Sequence, residues 1–166
     1  MIISKKLGKL DNLSGDGIDI VWLYWYETNK RILHQQTVSG KNISLRFLNE
    51  NPAFETGDIL YQDETTTIVI DIFPAEAIVI KPSDMFEMAS ICYEIGNKHL
   101  PLFFEQDALL VPYEAAFYKY LLASGYKICI ENRKLQHPLR TTVSPHSIGS
   151  GETLFSKIMK LTTDKK

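Results

Sequence analysis

The hydrophobic pattern of this chain changes at Phe73 and Pro74, and the change limits the folds that the chain can adopt. Before this point, short stretches rich in β-branched and aromatic residues alternate with turn residues, and none has the period of a helix. After it, segments with the hydrophobic period of a helix alternate with short segments typical of strands. We therefore predict an α+β protein with an N-terminal all-β domain (residues 1–74), a second domain (75–140) and a flexible tail (141–166).

The N-terminal half is expected to form a small β sandwich or barrel, because several short strands are joined by turns. Residues 18–26 predict a strand, and the turn residues at 28–30 suggest that residues 32–38 return beside it as a hairpin partner. Further strands are predicted at residues 43–47, 59–61 and 65–73.

Two helices are predicted in the second domain. Asp84 and Glu87 have the spacing of a capping box at the start of the first helix, with Ser83 as the competing cap. Gly96-Asn97 is expected to end the helix in the left-handed conformation. Pro112 is expected in the first turn of the second helix, which Gly125 closes. The predicted buried faces are Met85, Met88, Ala89, Cys92 and Ile95 in the first helix, and Ala116, Phe117, Tyr120 and Leu121 in the second.

Four short strands surround these helices, at residues 77–80, 100–104, 109–111 and 126–130. The resulting order is β-α-β-β-α-β, which is the ferredoxin-like arrangement of two helices over one antiparallel sheet.

Charge and composition exclude some classes of function. The formal net charge is −2 and the basic residues are scattered, so no basic patch for nucleic acid is expected. The longest apolar stretch, residues 67–80, is too short and too polar to span a membrane, and no secretory signal is visible at Met1. The expected compartment is the cytosol, where Cys92 and Cys129 would be free thiols and are expected to be buried.

The four histidines are the main candidates for chemistry, although no His-x-x-x-His or Cys-x-x-Cys pair is present. His34 is expected to be an ordinary strand residue. His137 is expected in a loop, with a secondary role as a metal ligand left open, and His146 could close over a metal from the tail. His99 follows a Gly-Asn turn, which would place its imidazole at the rim of the sheet. No pattern of an enzyme active site is evident.

The predicted end of the first helix reads Gly96-Asn97-Lys98-His99, and it is followed by Leu100-Pro101 and a strand. This segment resembles the motif of the UreE family, the urease accessory proteins that deliver nickel, in which a helix ending in Gly-Asn-Arg-His is followed by an apolar residue, Pro and a strand. Residues 107–113 also resemble the entry to the family's second helix. Lys98 replaces the usual Arg, Glu94 stands where some members carry another histidine, and the tail lacks the histidine-rich run of some members.

The resemblance implies a homodimer joined through its C-terminal domains, with Ni²⁺ held by His99 from both protomers and Zn²⁺ possible at the same site. His146 is a further candidate ligand and His137 a secondary one. The implied partners are the urease apoprotein and an accessory GTPase complex. The alternative class is a module that binds a peptide or small ligand without metal. A metal-dependent hydrolase would need three ligands and a base in one chain, which the sequence does not offer.

Overall fold

The computed structural model describes residues 1–139. Residues 140–166, which include His146 and the predicted flexible tail, lie outside the described residues.

The N-terminal part is an all-β domain of two sheets. One sheet has three strands in the order β1-β5-β4, and the other has four in the order β2-β6-β7-β3. The strands are β1 (Ile2–Ile3), β2 (Gly8–Lys9), β3 (Ile18–Leu23), β4 (Ile32–Gln36), β5 (Asn42–Arg46), β6 (Asp58–Gln62) and β7 (Thr67–Ile72).

One hydrophobic core lies between the two sheets. It takes Leu33 and Leu45 from the three-stranded sheet and Val21, Leu60 and Ile70 from the four-stranded sheet. Along β3, buried and partly exposed residues alternate, as expected for a strand with one face on a core. The predicted small sandwich is therefore confirmed.

The predicted hairpin between residues 18–26 and 32–38 is wrong. Strand β3 ends at Leu23, and a short 3-10 helix, Trp25–Glu27, follows it. Strand β3 pairs in parallel with β7, whereas β4 pairs with β5 in the other sheet. The chain crosses between sheets after β3, and a strand's composition does not specify which neighbour it will hydrogen-bond.

The C-terminal part has the predicted ferredoxin-like order of elements. Its antiparallel sheet has the strand order β11-β8-β10-β9. The side chains of α1 and α2 pack with one face of this sheet around a second core, which includes Ile78, Leu109 and Phe117. The elements are β8 (Ala75–Ile80), α1 (Met85–Asn97), β9 (Phe103–Glu105), β10 (Ala108–Pro112), α2 (Ala115–Ala123) and β11 (Ile128–Arg133).

Asp84 is the N-cap of α1, as predicted, but the reciprocal bond of the capping box goes to Ser83, the residue before the cap. The Asp84 carboxylate accepts a hydrogen bond of 2.8 Å from the Glu87 backbone N–H, and the Glu87 carboxylate accepts one from the Ser83 backbone N–H. The predicted inner face is shifted, however. Ile91 and Ile95 are the buried residues of α1, whereas Met85 and Ala89 are exposed. Ile91, which the sequence prediction omitted, lies one helical turn before Ile95.

Helix α2 begins later than predicted. Pro112 is the last residue of β10, and Glu114 caps the helix by accepting hydrogen bonds from the backbone N–H groups of Ala116 and Phe117. The helix therefore begins at Ala115 with Glu114 as its cap, and Pro112 lies outside its first turn. Phe117 is buried as predicted, whereas Ala116 is exposed.

Residues 134–139, which we call the strap, return from β11 to the N-terminal domain and then to β9. The Lys134 ammonium contacts the Asp71 carboxylate at 2.6 Å, and Leu135 is buried against the outer face of the C-terminal sheet. The Leu139 backbone N–H then donates to the Leu102 carbonyl at 2.7 Å. The strap thus ends beside β9.

No helix within residues 1–139 has the length and apolar character needed to cross a membrane.

We expect Asp84→Ala to lower the free energy of unfolding by about 1 kcal/mol, because it removes the side-chain cap of α1. Urea denaturation measures the change. Asp16→Ala is the matched control: it removes an exposed carboxylate from a loop and is expected to change stability by less than about 0.5 kcal/mol. Equal losses in the two variants would contradict the cap assignment.

Candidate functional site

Helix α1 ends in a left-handed turn at His99. Lys98, its C-cap, still has right-handed helical angles, with φ −86° and ψ −1°, whereas His99 has φ +54°. Gly96 and Asn97 lie at the end of the helix. The prediction that Gly96-Asn97 would adopt the left-handed conformation is therefore wrong.

Two backbone hydrogen bonds close this turn. The His99 N–H donates to the Gly96 carbonyl at 3.0 Å, and the Leu100 N–H donates to the Ile95 carbonyl at 3.1 Å. This is the Schellman pattern, in which the residue after the C-cap adopts positive φ. Ile95 and Leu100 both belong to the core beneath the helices, so packing holds the turn from below.

Glycine is the usual residue at this position, because a side chain in the left-handed region costs roughly 1–2 kcal/mol. The sequence instead places a bulky imidazole there, and His99 is exposed. Strained backbone that persists in a well-packed turn is a reason to look for function. The turn aims the residue away from the core that fixes its backbone.

The local field at this turn favours a cation. The C-terminal end of a helix carries partial negative charge from its carbonyl groups, and the last turn of α1 contains no basic residue. The next basic residue along the chain is Lys98, whose ammonium lies 5.4 Å from the centre of the Tyr120 ring on α2. The ammonium is therefore held against α2.

A groove of about 370 Å³, lined mainly by aromatic side chains, lies between the two helices. Glu94 and Tyr120 line it, and the Glu94 carbonyl accepts the backbone hydrogen bond of Lys98 at 3.1 Å. Phe86 and Tyr93 line it as well, and they are 83% and 70% exposed. An apolar surface this exposed is typical of an interaction site.

The other histidines lie elsewhere. His34 is exposed on β4, as predicted. His137 lies on the strap with φ +56°, and its Nδ1 is 3.1 Å from a carboxylate oxygen of Glu55. Glu55 also pairs with Lys9 at 2.5 Å, and these interactions hold the pKa of its carboxyl group below its ordinary value despite partial burial. His146 lies outside the described residues.

Within residues 1–139, no group of three or more His, Cys, Asp or Glu side chains lies close enough together to hold a metal ion. The two cysteine thiols do not form such a group either. Cys92 is half-buried in the helical core, and burial raises its pKa. The prediction that Cys129 is buried is wrong: it is exposed on β11, and a hydrogen bond to the Glu131 carboxylate raises its pKa.

Two features of the site were missed from sequence. The first is the turn itself, whose sequence signal is the apolar pair Ile95 and Leu100 on either side of it, since a Schellman turn often brings two such residues together. The second is the contact between Lys98 and Tyr120. Tyr120 was expected on the buried face, but it is 37% exposed, and no local pattern predicts a contact between two helices.

We expect metal-free His99→Gly to be more stable than metal-free His99→Ala by about 1 kcal/mol, because glycine adopts positive φ without a steric cost. Urea denaturation in the presence of a chelator measures both variants. If alanine proves as stable as glycine, the left-handed turn is not the conformation that the protein adopts.

Comparison with known proteins agrees with this arrangement of elements. The family model described as UreE urease accessory protein, N-terminal domain, matches residues 3–72, and the corresponding C-terminal domain model matches residues 75–149.

Three similar proteins are each named urease accessory protein UreE. The Flavobacterium johnsoniae protein is 37% identical over 163 residues, covering 97% of this chain and 99% of the relative. The Actinobacillus pleuropneumoniae protein is 38% identical over 140 residues, covering 81% and 75%. The Helicobacter pylori protein is 37% identical over 156 residues, covering 89% and 90%. With both family models matched in order along most of its length, this chain belongs to the UreE family of urease accessory proteins.

Proposed function

We propose that this protein is a cytoplasmic metallochaperone that carries nickel to the urease metallocentre and performs no catalysis itself. It holds Ni²⁺ at a homodimer interface through His99 of both protomers, and Zn²⁺ can occupy the same site. The observation that carries the proposal is the exposed imidazole of His99, fixed in a left-handed turn at the negative end of α1.

Imidazole nitrogen is a good ligand for nickel, but one imidazole is too few to hold the ion tightly. Within residues 1–139, the chain supplies no neighbouring group of ligands that would complete a site by itself. A two-fold axis would supply a second imidazole, because the same surface patch of the two protomers is then in contact across the axis. Two His99 side chains would face each other across such an axis.

The groove between α1 and α2 provides a surface for that pairing. Met85 and Phe86 at the start of α1 are 86% and 83% exposed, and Tyr93 near its end is 70% exposed. Burying these side chains against a second copy would remove a large apolar area from water. Glu94, which lines the groove, lies five residues before His99, and we infer that an interface at the groove brings the two imidazoles together.

Two imidazoles leave the metal with positions for water or for other ligands. Closed sites with four protein ligands are typical of structural metals, whereas open positions let a ligand from an acceptor enter. An exposed two-histidine site is therefore suited to a carrier. Imidazole binds metal only when it is neutral, so acidification should release the ion.

His146 is the proposed additional ligand. Leu139, the last described residue, is hydrogen-bonded to Leu102, three residues after His99. His146 follows Leu139 by seven residues, which can span at most about 25 Å. Because Leu139 lies beside Leu102, we infer that seven residues are enough for His146 to reach His99. His137 is the weaker candidate, because its imidazole already contacts Glu55.

Delivery requires acceptors, which we propose to be the urease apoprotein and an accessory GTPase complex. The family name supports a role in urease maturation. A competing function is a module that binds a peptide or small ligand without metal. Titration with nickel separates the two, because the competing function predicts no uptake near stoichiometric amounts.

We expect the wild-type dimer to bind about one Ni²⁺ tightly, and His99→Ala to lose this site, because both bridging imidazoles are removed. Isothermal titration calorimetry measures stoichiometry and affinity, and sedimentation confirms the dimer. His34→Ala is the matched control, since it removes an exposed histidine from the N-terminal domain. Unchanged binding in His99→Ala would refute the proposed site.

We expect His146→Ala to raise the dissociation constant for Ni²⁺ about tenfold without abolishing binding, because one ligand is lost and the His99 pair remains. His137→Ala should have the smaller effect. The same titration measures both variants. Equal affinities of wild type and His146→Ala would show that His146 does not bind the metal.

A further inference from the structure

Lys98 poses an electrostatic problem for the proposed metal site. It directly precedes His99, and its ammonium is carried on a flexible four-carbon stem that can extend toward the space in front of the imidazole. A positive charge there would repel a divalent cation. The position of the Lys98 ammonium therefore affects how well His99 can hold metal.

In the structure, this ammonium is directed to α2. It lies 5.4 Å from the centre of the Tyr120 ring, within the distance at which a cation is attracted to an aromatic face. The Tyr120 ring is itself held in place, since it stacks on the buried ring of Phe117 with centroids 6.0 Å apart.

The N-cap of α2 adds a second attraction. The Glu114 carboxylate accepts hydrogen bonds from the backbone N–H groups of Ala116 and Phe117. These bonds lower the pKa of its carboxyl group, and the positive charge of Lys98 lowers it further. The Lys98 cation thus lies over the Tyr120 ring, and the Glu114 carboxylate attracts it from beyond ion-pair distance.

We propose that Tyr120 is a positioning residue for metal binding: its ring holds the Lys98 ammonium against α2 and away from the metal on His99. The inference rests on the proposed function of His99. It assigns Tyr120 a role that depends on the charge of Lys98, and this dependence separates it from a role in packing alone.

A double-mutant cycle tests the dependence, with nickel affinity of the full-length dimer measured by calorimetry. Tyr120→Leu should raise the dissociation constant about three- to tenfold, because it frees the ammonium. Tyr120→Phe keeps the ring and should bind as wild type does. Lys98→Met should bind at least as tightly as wild type, and adding Tyr120→Leu to Lys98→Met should change little.

Salt provides a second readout. The loss in Tyr120→Leu should shrink as sodium chloride rises toward 1 M, where charges are screened over about 3 Å. Sedimentation checks that each variant is still a dimer, since Tyr120 also lines the groove. A purely structural role would weaken binding equally with and without Lys98, and at every salt concentration.

The experiments distinguish a failure of the proposed function from a failure of this inference alone. If His99→Ala binds nickel as wild type does, the proposed function fails, and this inference fails with it. If His99→Ala loses the site while Tyr120→Leu binds as wild type does, or loses the same affinity in the Lys98→Met background, this inference alone is overturned.

Discussion

The site depends on one backbone turn. The hydrogen bonds from His99 to Gly96 and from Leu100 to Ile95 end α1, turn the chain toward β9 and leave the imidazole exposed. Ile95 and Leu100 belong to the core, so the burial of these apolar side chains stabilises a conformation that His99 alone would disfavour. A rigid turn reduces the loss of conformational freedom when a ligand binds.

The order of elements was predictable because it follows from local patterns. The Asp84 cap of α1 and the appearance of helices after Phe73 depend only on nearby residues, and the structure confirms both. Strand pairing is not local: β3 pairs with β7, about fifty residues later, because both face the same core. Nothing within residues 18–26 encodes that choice of partner.

The site was predictable to a lesser degree. His99 was singled out by its motif, but the conformation that presents it was assigned to Gly96-Asn97, since glycine and asparagine ordinarily adopt positive φ. The contacts of Lys98 with Tyr120, of Lys134 with Asp71 and of His137 with Glu55 join residues that are distant in sequence. Such contacts follow from the packing of one element against another, which the periodicity of a single sequence does not encode.

The central claim is that the imidazoles of two protomers meet at one metal ion. Anomalous diffraction at the nickel absorption edge, from crystals of the nickel-loaded protein, tests it most directly. We predict a single ion on a two-fold axis, bonded to a ring nitrogen of His99 from each subunit. Two His99 residues far apart, with nickel bound elsewhere or not at all, would contradict the claim.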